Sequence, residues 1–150
     1  MRRPRSPTRP SSLVRAPPLA TNAGFYTYLT ANVMYRRVSD KALNPEQNEK
    51  SIRLLRAIRA HGNFAEFVPI TLFSLFLSEL NGAPTAWVHG SLAALFVARV
   101  LHSIGIQCDK YFLLRSIGFL GNLLILIGAG LYNVRGASVS YTHLTLPTIC

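Results

Sequence analysis

A chain of 150 residues has room for one domain, and this one divides its composition oddly: 49% hydrophobic and only 15% charged, yet with a formal net charge of +10. Residues 62–134 balance Arg99, Lys110 and Arg115 against Glu66, Glu79 and Asp109, so the excess lies elsewhere and a uniformly basic nucleic-acid-binding domain is excluded. Two cysteines, Cys108 and Cys150, are too few for a disulfide framework.

The chain opens on five arginines (Arg2, Arg3, Arg5, Arg9, Arg15) among prolines at 4, 7, 10, 17 and 18, with no acid before Asp40. An Arg/Ser-rich, acid-free leader resembles a transit peptide, but its prolines argue against an amphipathic targeting helix. Residues 1–23 are therefore expected to be disordered or non-native. Residues 24–35 (GFYTYLTANVMY) predict the second half of a membrane helix ending at Arg36-Arg37, which leaves the first helix short. The following stretch, 36–59, holds seven Lys/Arg and belongs in the cytoplasm by the positive-inside rule.

Three apolar segments follow. Residues 64–80 carry charges only at Glu66 and Glu79, and they make a membrane span if the helix starts upstream near Ser51. Residues 85–106 carry one charge, Arg99, and 111–134 one, Arg115, each long enough to cross a bilayer core of about 20 residues. Asn81-Gly82-Ala83-Pro84 supplies a stop and a restart on the outer side, and 107–110 turns the chain on the cytoplasmic side. A soluble bundle is disfavoured because such helices would be apolar all round. The tail from 136 to 150 breaks this composition and resembles translated sequencing-adapter read-through. The expected domain is thus 24–135, an all-α, integral membrane four-helix bundle.

Ionisable residues near the centre of a span cost about 2.5–3.5 kcal/mol each on insertion scales, so their placement is informative. Arg59, Asn63 and Glu66 share one helical face; Arg99 and His102 share another; Arg115 and Ser116 lie about one turn into the last helix. All stand toward the cytoplasmic end, so three helices present polar groups at similar depth. Three arginines against one carboxylate leave unneutralised positive charge, and arginine's planar fork suits an anionic ligand. The alternative is that these groups only satisfy one another, Glu66 with Arg59 or Arg115 and His102 with a backbone carbonyl. His61 and His89 lack a partner set, and no metal-ligand spacing or phosphate-cradling loop is present. Gly118, Gly121, Gly128 and Gly130 are expected at close helix contacts.

These residues resemble a known family. RAIRAHGNFAE at 56–66, followed by Pro69, is similar to the signature of the MAPEG family, the membrane-associated proteins of eicosanoid and glutathione metabolism. SELNGA at 78–83, RVLH at 99–102, RS at 115–116 and NPE at 44–46 continue the likeness in order. The resemblance implies a homotrimer in a membrane, with glutathione bound between adjacent subunits and facing the cytosol. By position it implies glutathione contacts from Tyr26, Arg36, Arg59, Asn63, Glu66, Arg99 and His102, and catalytic roles near the thiol for Arg115 and Ser116. The implied activity is a glutathione-dependent transferase or peroxidase acting on hydrophobic electrophiles or lipid hydroperoxides, with glutathione as co-substrate. A non-catalytic lipid-binding or scaffold protein of the same fold is the alternative. One departure bears on that choice: Ile106 stands where several relatives place a tyrosine. Expected partners are a second and third copy, a hydrophobic small molecule or lipid, and the membrane, with no nucleic acid. The membrane would be the inner one in a bacterium and an organelle membrane such as the endoplasmic reticulum in a eukaryote.

Overall fold

The computed structural model describes residues 17–39 and 49–142, which form four helices: α1 (Pro17–Ser39), α2 (Glu49–Leu80), α3 (Thr85–Gln107) and α4 (Phe112–Thr142). A single 3₁₀ turn, Asp109–Tyr111, joins α3 to α4. Three segments are long and apolar enough to cross a bilayer: Ile52–Leu80, Thr85–Gln107 and Phe112–Gly136. Their outward side chains, among them Ile70, Phe73, Leu113, Leu120, Leu124 and Leu131, are exposed, as a hydrocarbon solvent permits.

The first helix is longer than the sequence predicts. It begins at Pro17, seven residues before the expected start at 24, so 17–23 belong to the helix and not to the leader. Pro17 and Pro18, two of the five prolines that argued against a helix, occupy its first turn, where a missing N–H removes no intrahelical bond. Its hydroxyls are turned back onto the helix: Thr21 Oγ1 donates to the Pro17 carbonyl at 2.9 Å, Thr27 to Ala23 at 3.1 Å and Thr30 to Tyr26 at 2.9 Å. Such bonds satisfy polar groups without leaving the segment. The last helix likewise continues past 135 to Thr142. The expected leader over 1–16 and the tail over 143–150 lie outside the described residues.

The α2–α3 turn is a Schellman ending. Gly82 adopts φ 86°, its N–H reaching the Glu79 carbonyl at 3.0 Å, and the Ala83 N–H reaches Ser78 at 2.9 Å. Pro84 then prevents α2 from continuing. The α1 helix runs antiparallel to α2, packing Leu29 on Ala60 and Phe64, and Val33 on Leu54 and Ala57. The core sits along α3, whose Val88, Leu92 and Leu95 are fully buried.

The closest contact is α3 on α4. A Cβ on Gly105 would run into the Arg115 backbone, and one on Gly118 into the Ala98 carbonyl and the His102 backbone. Of the glycines expected at such contacts, Gly118 is one. Gly121 makes an ordinary contact at 3.4 Å to the Ala98 Cβ, while Gly128 and Gly130 have nothing within 4 Å. The α2 and α4 helices run parallel in fixed register. Thr71 meets Asn122 at 3.3 Å, Ser78 Oγ donates to the Ala129 carbonyl at 3.3 Å, and Asn81 Nδ2 donates to Asn133 Oδ1 at 3.1 Å. Interhelical polar contacts of this kind tie membrane helices that have no hydrophobic reason to associate.

Candidate functional site

Seven cations among the described residues gather at one end of the bundle: Arg36 and Arg37 close α1, Arg53, Arg56 and Arg59 open α2, and Lys110 and Arg115 flank the last turn. Arg56 Nη1 donates to the Gln107 carbonyl at 3.3 Å and fastens the start of α2 to the end of α3. By the positive-inside rule this end is cytoplasmic.

A cleft of ≈ 1060 Å³ opens there between α2, the end of α3 and the start of α4. Its polar lining is Arg56, Arg59, Asn63 and Glu66 from α2, His102 from α3, and Arg115 and Ser116 from α4. Its apolar lining, drawn from the same three helices, is Ile52, Leu55, Ile58, Ile106, Phe112 and Phe119. The convergence of three helices predicted from spacing is therefore present. The predicted alternative, mutual pairing, is only half present. Among the described residues Glu66 makes no ion pair with Arg59 or Arg115, and all three side chains are exposed to the cleft. Positive charge is left over, which favours a negatively charged occupant.

His102 does find its backbone carbonyl. Its Nδ1 lies 2.8 Å from Arg115 O, and since a carbonyl only accepts, Nδ1 carries the hydrogen. This bond spans the crossing at which Gly105 and Gly118 let the backbones meet, and so it fixes the first turn of α4 that carries Arg115. Ser116 Oγ is 3.4 Å from the Phe112 carbonyl and faces the cleft.

Three expected contacts are not in the cleft. Arg99 is 1% exposed, buried behind Asn63, to whose Oδ1 its Nη1 donates at 2.7 Å. Its position on the His102 face was legible, but it lies nearly one turn further from the cytoplasmic end, where α2 closes over it. Tyr26 stacks on His61 (5.0 Å between centroids) and Phe64 (5.8 Å), lining a separate apolar groove between α1 and α2. Arg36 Nε donates to Asn32 Oδ1 at 3.0 Å on α1 itself. Sequence reading missed Arg56, Phe112 and Phe119. Their spacing from Arg59, Arg115 and Ser116 on the same helical faces is the signal that could have found them. No cluster of metal-ligating side chains occurs among the described residues.

Comparison with known proteins places the chain in a family. The sequence matches the MAPEG family over residues 16–135, and the chain belongs to that family. It is an integral membrane protein. Over 52 residues it is 40% identical to the inner membrane protein YecN of Escherichia coli, from strain K12 and from the O6:H1 strain CFT073 alike. That match takes in 35% of this chain and spans 40% of the length of those relatives. No solved structure matches.

Proposed function

We propose, for this member of the MAPEG family, that the cytoplasmic cleft binds glutathione and that the protein is a membrane-bound glutathione transferase or peroxidase. The observation that carries the reading is the single cleft in which Arg59, Asn63, Glu66, His102, Arg115 and Ser116 meet with positive charge to spare. Glutathione brings two carboxylates and an amine. Arg59 pairs with a carboxylate, and Glu66 offers the acceptor for the amine. Arg115 and the Ser116 hydroxyl line the cleft from the start of α4, the helix that also contributes Phe112 and Phe119. There a cation and a hydroxyl donor favour a sulfur anion over a thiol.

A free thiol titrates near 8.5, and lowering it to about 6.5 requires about 2.7 kcal/mol of preference for the anion, within reach of a partly desolvated arginine. The thiolate then attacks an electrophilic carbon, forming the S–C bond while the leaving group departs with its electron pair. With a lipid hydroperoxide, two glutathiones give the alcohol, water and glutathione disulfide. The apolar lining of Ile52, Leu55, Ile58, Ile106, Phe112 and Phe119 suits an acceptor arriving from the lipid.

Assembly is part of the proposal. Tyr26 and Arg36 stand away from the cleft of their own copy, so a role for them in glutathione binding requires the cleft of an adjacent copy in a homotrimer. Ile106 favours the second reading, a lipid-binding scaffold, because it puts an alkyl group where a hydroxyl could assist the chemistry. Glutathione titration of the detergent-solubilised protein, followed by assay with a generic aromatic electrophile, separates the two. Binding with turnover supports the enzyme, binding without turnover the scaffold, and neither refutes both.

A further inference from the structure

Arg99 heads the fully buried side chains of the protein by size, yet it carries a permanent positive charge. Its Nη1 donates to Asn63 Oδ1 at 2.7 Å, and its guanidinium carbon stands 5.4 Å from the centre of the Phe67 ring. Nε and Nη2 are buried with no partner among the described residues. This burial is complete within one copy, so a neighbouring subunit cannot reach the guanidinium, and Arg99 is not on the cleft wall. Whatever Arg99 does for the cleft, it does through Asn63.

An arginine only donates, so the atom of Asn63 facing it is the carbonyl oxygen. The two polar ends of a primary amide diverge from Cγ. Asn63 is half-buried and lines the cleft, so with Oδ1 committed inward the end left for the cleft is the NH₂ group. We infer that Arg99 is a positioning residue that locks the Asn63 amide with its donor end toward the cleft, selecting a ligand carboxylate or carbonyl oxygen at that point. Without Arg99 the amide can turn over and offer an acceptor to the same atom. The α2 face then reads, one turn at a time, cation at Arg59, neutral donor at Asn63 and anionic acceptor at Glu66. The inference rests on the glutathione reading for the identity of the ligand, and on Arg99 and Asn63 alone for the polarity of the amide.

Two measurements on the full-length solubilised protein keep these apart. In the absence of ligand, Asn63→Asp holds or raises the melting temperature, because Arg99 gains a carboxylate of the same shape. In an Arg99→Met background the same change lowers it, because the carboxylate is left without its cation. A lowered melting temperature in the wild-type background overturns the inference. With glutathione, Asn63→Asp exchanges a donor for an acceptor and weakens binding at least about tenfold, while Arg99→Met weakens it about three- to tenfold. Asn63→Leu combined with Arg99→Met binds no worse than Asn63→Leu alone. Unchanged affinity in Asn63→Asp, or losses that multiply in the combined variant, overturn the inference. A wild-type protein that binds no glutathione refutes the ligand reading instead, and the melting comparison still decides the role of Arg99.

Discussion

The α3–α4 crossing can be tested with one added methyl group. In Gly105→Ala the new Cβ collides with the Arg115 backbone nitrogen and stands 2.7 Å from the Arg115 Cα and Cβ. Carbon atoms rest at about 3.5–4.0 Å, so α4 must retreat by about 1 Å. Overpacking of this kind costs about 1–3 kcal/mol, while alanine gains up to about 1 kcal/mol over glycine in a helix. Gly128→Ala is the control: it takes the same helical gain and meets nothing within 4 Å. The difference between the two variants is then the overpacking term alone. At about 2–4 °C per kcal/mol for a chain of this size, Gly105→Ala melts about 2–12 °C below Gly128→Ala in detergent. The retreat also lengthens the 2.8 Å bond from His102 to the Arg115 carbonyl, so Gly105→Ala weakens glutathione binding and Gly128→Ala does not. Equal melting temperatures in the two variants would refute the close crossing on which this reasoning stands.

Other variants probe the cleft and its supports. Arg115→Ala should abolish most turnover with an electrophile while the protein still inserts and purifies; undiminished turnover rules out its place beside the sulfur. Gly62 lines the cleft, and a Cβ there meets nothing within 4 Å, so Gly62→Leu is expected to keep the melting temperature within a few degrees while cutting glutathione affinity. Ile106→Tyr brings a hydroxyl to the cleft lining and should raise turnover without tightening glutathione binding; a change confined to binding argues against a part in the chemistry. Removing the hydroxyl in Ser78→Ala loses the bond to Ala129 and is expected to cost about 0.6 kcal/mol, read as a small drop in melting temperature.

Much of this molecule is legible in its sequence because a bilayer narrows the choices. Apolar runs of the right length read as spans because a soluble bundle would not leave its helices apolar all round, and a four-residue turn joins antiparallel neighbours. The face shared by Arg59, Asn63 and Glu66 follows from helical spacing alone. Spacing gives direction around a helix, but not how near the next helix comes. For that reason Arg99 read as a ligand contact beside His102, although Asn63 and Phe67 stand over it. The same blindness let Gly128 and Gly130 pass as packing residues and hid Gly105, since the partner backbone decides which glycine is needed. The start of α1 was misplaced because proline was weighed as a breaker without regard to its position, and the first turn is where it is tolerated. Tyr26 and Arg36 were placed by likeness to a family, and within one copy they answer to His61, Phe64 and Asn32.

Insertion of α3 carries Arg99 into the bilayer, a cost that reaches about 2.5–3.5 kcal/mol at a helix centre on insertion scales and is a heavy load for a segment of 23 residues. The groups that meet that charge, Asn63 and the Phe67 ring, lie on the preceding helix, tied to α3 by the tight turn at Gly82. The α2–α3 hairpin is accordingly the unit the membrane accepts. The second helix of the hairpin enters with its arginine matched by the first, and a chain stopped between the two would leave that match unmade.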